Sequence, residues 1–150
     1  RSPDRIFVGK RLTPRRWDMI VFRYPEQPSE IYVKRLVGLP GERIELRDGE
    51  VTIDGKIAPK PDHLRRLKYL NLEAPFAAQW GETGHPVTLG ADEYFVLGDF
   101  SACSKDSRLW ERGAPGHAPY AVPRDHLLGV VTEIYWPPER WQVFERAQAE

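Results

Sequence analysis

The sequence predicts a mainly β fold, an antiparallel and barrel-like arrangement of short strands with one small inserted region. Short runs of β-branched and aromatic residues recur along the 150 residues, and turn residues separate them. The 12 glycines and 14 prolines are spread through the chain instead of forming one linker. Helical periodicity is weak throughout. Together these observations favour many strands joined by tight turns.

Six segments rich in β-branched and aromatic residues are predicted as strands. They are residues 19–22, 31–39, 44–46, 51–53, 94–97 and 127–136. Pro40-Gly41 ends the second strand, and this order fits a type II turn because glycine supplies the positive φ. Asp48-Gly49 separates the third strand from the fourth and is typical of a two-residue β-hairpin.

The domain organisation is predicted from where proline and glycine interrupt the apolar runs. They do so most often in residues 56–91, which we interpret as an inserted excursion or small subdomain. Residues 1–55 and 92–136 are then predicted to form one β core. Residues 137–150 are predicted to form a C-terminal tail with a short helix over residues 139–149.

Composition excludes several classes of protein. The 22 basic and 22 acidic residues give no net charge, which argues against binding nucleic acid by bulk charge. The single cysteine excludes an internal disulfide. No run of about 18 apolar residues is present, so no segment is predicted to span a bilayer as a helix. Because the chain begins with Arg1 and not with Met, we expect a processed or trimmed piece of a longer protein.

Lys34 is the first candidate for chemistry. In a strand it shares one face with Tyr32 and Leu36, so its amine is at risk of losing its water. Desolvation lowers the pKa of a lysine and yields a neutral amine that can act as a general base. The alternative is an edge-strand lysine whose amine extends to solvent.

The loop after strand 94–97 is the second candidate. Ser104, Asp106 and Arg108 alternate, so an extended backbone would direct all three side chains the same way. Asp106 and Arg108 can pair and fix the loop, which leaves the Ser104 hydroxyl to orient another group. The alternative is a turn with a solvated ion pair.

The sequence supports neither a metal site, nor a cysteine nucleophile, nor a pair of catalytic carboxylates. The four histidines lack metal-ligand spacing, and the lone cysteine offers no second thiol ligand. Cys103 has no evident base beside it, and the acidic residues are too scattered to suggest a glycosidase pair.

Several blocks occur in a fixed order along the chain. They are Asp18-Met19-Ile20-Val21-Phe22, Tyr32-Val33-Lys34-Arg35-Leu36-Val37-Gly38-Leu39-Pro40-Gly41-Glu42, Gly98-Asp99, Ser104-Lys105-Asp106-Ser107-Arg108, Val122-Pro123 and Ile134-Tyr135-Trp136. Their ordered combination resembles the bacterial type I signal peptidases, membrane-anchored endopeptidases that use a serine and a lysine. The family's fold is a mostly antiparallel β domain with an insertion between the lysine and Gly-Asp blocks, which matches residues 56–91.

The resemblance implies a role for each matching position. Lys34 falls on the lysine that deprotonates the nucleophilic serine and later protonates the leaving amine. Ser104 falls on the serine whose hydroxyl orients that lysine. Asp106 and Arg108 fall on the ion pair that supports it.

The resemblance also implies a class of substrate and a cellular location. Ile31, Tyr32 and Val33 resemble the strand to which an extended substrate adds, with shallow pockets for small side chains. The substrates would be signal peptides of secretory preproteins. The catalytic domain would lie at the outer face of the bacterial cytoplasmic membrane, with the anchor in a segment outside these 150 residues. The resemblance implies no cofactor, metal or nucleic acid.

This chain departs from the family in two places. Phe100, Ala102 and Cys103 stand where the family usually has polar residues. The family's nucleophilic serine lies in a Ser-Met-x-Pro-Thr-like segment that would precede Arg1, and Ser2 is too close to the next matched stretch to replace it. We therefore expect the fragment to be inactive by itself.

Two alternatives remain open from the sequence. One is a non-catalytic homologue that binds extended peptides or partners through the same edge strand. The other is an OB-like barrel that binds single-stranded nucleic acid, suggested by five tryptophans and abundant arginine but weakened by the zero net charge.

Three tryptophans lie near predicted strand ends with arginines beside them, namely Trp17, Trp136 and Trp141. Such residues are typical of a membrane interface, and equally of a protein core or its rim.

Overall fold

The computed structural model describes residues 3–70, 80–99 and 105–148, in which eleven β-strands and three short 3-10 helices occur. The strands, numbered along the chain, are β1 (Arg5–Gly9), β2 (Met19–Arg23), β3 (Ile31–Gly38), β4 (Arg43–Arg47), β5 (Glu50–Ile53), β6 (Lys56–Ile57), β7 (Val87–Thr88), β8 (Glu93–Leu97), β9 (Val122–Pro123), β10 (Leu127–Trp136) and β11 (Gln142–Val143). The 3-10 helices are Asp62–Leu64, Arg124–His126 and Pro138–Arg140.

The strands form two sheets. The larger has the order β1-β10-β2-β3-β8-β9, with β11 paired to β10. The smaller has the order β6-β5-β4-β7. Every strand pair among the described residues is antiparallel, so the predicted mainly β, antiparallel fold is confirmed.

The two predicted turns form for the reasons seen in the sequence. Gly41 has a φ of 81° at the third position of the turn over residues 39–42, and a backbone hydrogen bond of 3.2 Å closes that turn. Asp48 and Gly49 both have positive φ, at 51° and 77°, as a type I′ hairpin requires. These turns join β3 to β4 and β4 to β5.

Side chains of the larger sheet alternate between two hydrophobic clusters. Leu36 lies in one cluster and Val37 in the other, as the two-residue period of a strand requires. The first cluster fills the space between the two sheets and includes Trp17, Val37, Ile44, Leu46, Val51, Tyr69, Phe95 and Leu97. The second covers the opposite face of the larger sheet and includes Ile20, Phe22, Tyr24, Leu36, Tyr94, Val96, Trp110, Val122 and Val130.

The structure differs from the sequence predictions at the C-terminus. No α-helix occurs over the described part of residues 139–149; instead Pro138–Arg140 is a 3-10 helix and β11 pairs with β10. Proline at the start of the 3-10 helix and the exposed apolar side chain of Val143 fit a turn and an edge strand better than an amphipathic helix.

Two further observations concern the core. The smaller sheet combines β4 and β5, from residues 1–55, with β6 and β7, from residues 56–91. Trp17 is only 4% exposed, so of the two alternatives for this residue the structure supports the protein core. Its indole packs in the first cluster and donates to the Pro59 carbonyl at 2.9 Å. None of the helices in the described ranges is long and apolar enough to cross a membrane.

Candidate functional site

Lys34 lies on the face of β3 that covers the second cluster. Ile20, which is fully buried, stands directly opposite it on β2. Tyr32 and Leu36 flank it on the same face, and its Nζ lies 5.9 Å from the centre of the Tyr32 ring. The side chain is therefore half-buried among apolar neighbours and is not a solvated edge-strand lysine.

The surroundings of Lys34 make its charged form less favourable. Burial lowers the pKa of its amine below the ordinary lysine value, and the guanidinium of Arg108 lowers it further. The carboxylates of Asp106 and Asp99 oppose this effect, but burial prevails. A lysine in this position has a larger neutral fraction near pH 7 than a solvated one, as a general base requires.

Asp106 and Arg108 form an ion pair in which both side chains are fully buried. Arg108 donates from Nε to Asp106 Oδ1 at 3.0 Å and from Nη2 to Oδ2 at 2.9 Å. The backbone amides of Gly98 and Arg108 donate to the same carboxylate at 3.0 and 3.1 Å. The pair thus fixes the segment after β8 and does not extend into solvent.

A second ion pair, which the sequence did not predict, starts from Arg35, the residue after Lys34, on the opposite face of β3. Arg35 donates from Nε and Nη2 to the two oxygens of Asp99 at 2.8 and 2.7 Å, and from Nη1 to the Trp17 carbonyl at 2.7 Å. Asp99 belongs to the Gly-Asp block and Arg35 follows the lysine, so both were visible in the sequence. Their pairing across 64 positions was not.

Ser104 lies outside the described residues, as do Phe100, Ala102 and Cys103. The two ends of that loop are described. β8 runs antiparallel to β3 and its last residue, Leu97, is opposite Arg35, so the chain leaves the sheet next to Lys34.

The residue after the loop, Lys105, lies near the aromatic rings next to Lys34. Lys105 places its Nζ 5.4 Å from the centre of the Tyr24 ring. That ring stacks on Tyr32, with centroids 4.5 Å apart and planes 9° apart. Tyr32 in turn is the ring beside the Lys34 amine. Both ends of the loop therefore lie close to Lys34.

Among the described residues, the first half of β3 pairs on one side only and so has a free edge. β2 pairs with Ile31, Tyr32 and Val33, whereas β8 pairs only with residues at positions 35–38 in the part of the chain that the structure describes. Ile31 and Val33 are 57% and 40% exposed on one face, while Tyr32 is half-buried on the other. Such an edge has unpaired backbone groups that an extended peptide can use.

Residues 3–70, 80–99 and 105–148 contain no candidate metal site. No group of three or more histidine, cysteine, aspartate or glutamate side chains is arranged there to hold an ion.

Known proteins resemble this chain over most of its length. The profile of the family described as "Signal peptidase, peptidase S26" matches residues 1–136. A signal peptidase I of Leptolyngbya laminosa is 34% identical over 148 residues, covering 91% of this chain and 62% of that protein. A signal peptidase I of Pseudomonas aeruginosa is 29% identical over 143 residues, covering 80% of this chain and 45% of that protein.

A solved structure agrees with these similarities. A crystal structure of a signal peptidase I from Enterococcus faecalis superposes with a TM-score of 0.55 and 29% sequence identity, covering 81% of this chain and 98% of that one. The chain spans about 60% or less of the length of the two relatives from Leptolyngbya and Pseudomonas. The match of the family profile to residues 1–136, together with the shared antiparallel β fold, shows that the chain belongs to the signal peptidase family.

Proposed function

We propose that this chain is the catalytic domain of a serine endopeptidase that removes signal peptides from secreted preproteins, with Lys34 as its general base. One observation carries the proposal. The Lys34 amine is half-buried, its pKa is lowered by burial, and it lies within the electrostatic influence of two anchored ion pairs, Asp106–Arg108 and Asp99–Arg35.

The proposed reaction proceeds through an acyl-enzyme. Neutral Lys34 accepts the proton of a serine hydroxyl while the serine oxygen attacks the scissile carbonyl. The lysine then gives this proton to the leaving amine as the peptide bond breaks. Water then hydrolyses the resulting ester: Lys34 takes a proton from the attacking water and gives it to the serine oxygen as the acyl group leaves. Every proton passes through a single amine, which must therefore be neutral at the start of each cycle.

We assign the orientation of Lys34 to the Ser104 hydroxyl. The loop that carries Ser104 starts at Asp99, beside Arg35, and ends at Lys105, above Tyr24. Only five positions separate these two anchored residues. A loop this short, with both ends close to the lysine, supports Ser104 as the group that accepts or donates a hydrogen bond at the amine.

We assign substrate binding to the free edge of β3. An extended peptide can pair with the backbone of Ile31, Tyr32 and Val33, which lie directly before the base. This pairing would bring a scissile carbonyl to Lys34. The short, extended region that precedes a signal-peptide cleavage site, with its small side chains, fits such an edge.

We further propose that the domain works against the outer face of the bacterial cytoplasmic membrane. The far edge of the larger sheet exposes a set of apolar and aromatic side chains, which we name the aromatic edge: Phe7, Tyr135, Trp136, Trp141 and Val143. Arg5 lies over the Trp136 ring, with 5.7 Å between its Cζ and the ring centre. Exposed aromatics beside a cation are suited to the lipid headgroup region.

In the register of the family resemblance the nucleophilic serine lies in a segment before Arg1. We therefore propose that cleavage requires a segment that carries this serine. The test compares the chain alone with a chain extended by such a segment, using a preprotein substrate and its cleavage products as the readout.

The decisive variant is Lys34→Ala in the extended protein. Lys56→Ala is the matched control, because Lys56 is an exposed lysine on the smaller sheet. We expect Lys34→Ala to abolish cleavage and Lys56→Ala to retain it. Cleavage undiminished by Lys34→Ala would refute the role of the lysine. Binding of a signal peptide by the extended protein without any cleavage would favour the alternative, a non-catalytic homologue that binds peptides along β3.

A further inference from the structure

Two tyrosines stack on each other on the face of the larger sheet that carries Lys34. The rings of Tyr24 and Tyr32 have centres 4.5 Å apart and planes 9° apart, and we name them the tyrosine stack. In the antiparallel register of β2 and β3, Ile20 is opposite Lys34 and Phe22 is opposite Tyr32. Tyr24, two residues further along, therefore lies on the side of Tyr32 away from the lysine.

Tyr24 is fixed by contacts on the ring and on the hydroxyl. It is only 5% exposed, and its ring centre lies 5.7 Å from that of Trp110 in the second cluster. Its hydroxyl donates to Glu26 Oε1 at 3.0 Å. The other oxygen of that carboxylate accepts from the backbone amides of Arg112 and Gly113 at 2.8 and 3.2 Å. The ring is thus tied to the backbone of the chain after Trp110.

The bond between Tyr24 and Glu26 persists over the neutral and mildly alkaline range. Burial, together with the bond to Glu26, raises the pKa of the Tyr24 phenol, so the hydroxyl stays a donor. Burial opposes ionisation of Glu26, but the bonds from Arg112, Tyr24 and Gly113 lower its pKa, so the carboxylate stays an acceptor. A change of charge within this bond is therefore not what a titration near Lys34 would detect.

Tyr32 needs such support. It is half-buried and lies in the part of β3 that pairs with β2 only, among the described residues. Its ring borders the Lys34 amine, with 5.9 Å between Nζ and the ring centre. That distance is at the outer limit of about 6 Å for an attraction between a cation and a ring, so the ring favours the ammonium form only weakly. Its larger effect is to keep water away.

We propose that Tyr24, held by Glu26, is a positioning residue for Lys34: it keeps the Tyr32 ring against the amine and so excludes water from that side. This inference rests on the proposed function, because it takes Lys34 to be the general base. It adds to that function a second layer of side chains, which acts on the base only through Tyr32.

The variants that test this role leave the charged groups around Lys34 in place. The carboxylates of Asp106 and Asp99 and the guanidinium of Arg108 act on the amine, and all three are kept. Lys105, whose Nζ lies 5.4 Å from the centre of the Tyr24 ring, keeps its contact wherever that ring is kept. A change in the titration of Lys34 then reports on access of water to the amine.

Tyr24→Phe keeps the ring and removes the bond to Glu26, whereas Tyr24→Leu removes the stacked ring as well. Tyr120→Phe and Tyr120→Leu are the matched controls. The Tyr120 ring packs 5.5 Å from the Trp80 ring, and its hydroxyl donates to the Thr88 carbonyl at 2.6 Å. NMR of the 150-residue chain would follow the titration of the ¹³C-labelled Lys34 side chain, and urea unfolding would record the stability of each variant.

We expect the pKa of Lys34 to rise towards its ordinary value in Tyr24→Phe and further in Tyr24→Leu, because water reaches the amine. In the extended protein, cleavage at pH 7 should fall by roughly threefold to tenfold in Tyr24→Leu, since less of the amine is neutral. The loss should shrink as pH rises, because the amine then becomes neutral in both proteins. The Tyr120 variants should change neither the titration nor the pH profile.

Glu26→Ala gives an independent check with an informative sign. Removal of a carboxylate acts through charge to lower the pKa of a nearby amine. Loss of the support for Tyr24 acts in the other direction. We expect the pKa of Lys34 to rise in Glu26→Ala, as in Tyr24→Phe, and a fall would overturn the proposal.

The outcomes separate this inference from the proposed function. An unchanged or lowered Lys34 titration in Tyr24→Leu, whatever its urea midpoint, would overturn the positioning role and assign Tyr24 to the core alone. The proposed function would then still stand if Lys34→Ala abolishes cleavage. If Lys34→Ala leaves cleavage intact, the proposed function fails and Tyr24 has no base to position. Should Tyr24→Leu not fold, the titrations of Tyr24→Phe and Glu26→Ala decide the question.

Discussion

Replacing Asp106 by asparagine perturbs an ion pair from which water is excluded. The carboxylate accepts four hydrogen bonds, three of them from Arg108 and one from Gly98. Asparagine keeps one acceptor oxygen but turns an NH₂ group towards a guanidinium that can only donate. The guanidinium of Arg108 stays fully buried with its main negative partner gone. Breaking a buried pair in this way costs about 3–5 kcal/mol.

Urea unfolding followed by tryptophan fluorescence measures this cost. With an m-value of about 2 kcal/mol per M, the midpoint should fall by roughly 2 M. Asp4→Asn is the matched control, because Asp4 pairs with Arg140 at 2.8 Å but is 40% exposed, and such pairs contribute at most about 1 kcal/mol. Equal losses in the two variants would refute the claim that burial makes the Asp106 pair strong.

Three further changes test other parts of the account. Lys34→Met should raise the urea midpoint at pH 7, because the buried amine destabilises the fold while it is charged. Since the folded pKa of Lys34 is the lower one, wild-type stability rises as pH rises through it, and the gain from Met should vanish as pH approaches 10.5. Gly41→Ala should cost about 1 kcal/mol in the same assay, from its φ of 81° alone, because no atom lies within 4 Å of the added Cβ. Arg35→Lys should cost about 1–3 kcal/mol and lower kcat in the extended protein, because lysine cannot replace the two parallel bonds to Asp99.

Local signals in the sequence predicted two turns and six of the eleven strands in the described residues. The six predicted segments correspond to β2, β3, β4, β5, β8 and β10. Pro40-Gly41 and Asp48-Gly49 carry the positive φ angles that their turns need. These features depend on neighbouring residues, so the sequence contains the necessary information. The apolar neighbours of Lys34 indicated that its amine was at risk of desolvation, but they left a solvated edge-strand lysine as the alternative.

Contacts between side chains that are far apart in the chain could not be predicted from the sequence. Arg35 and Asp99 meet across 64 positions, and only the antiparallel pairing of β3 with β8 brings them together. Tyr69 reaches Asp99 from the inserted region, where no local pattern marks it. The sequence left Trp17 open between a membrane interface and the core, because its burial depends on the distant Pro59 carbonyl, to which its indole donates.

The titration of the Lys34 amine tests the central claim most directly. NMR of the 150-residue chain with ¹³C-labelled lysine would follow each side chain from neutral to alkaline pH, with Lys34→Met identifying the signal. A half-buried amine among apolar neighbours should titrate below the value of about 10.4 for a solvated lysine. Titration of Lys34 at or above that value would contradict the assignment of this residue as the base.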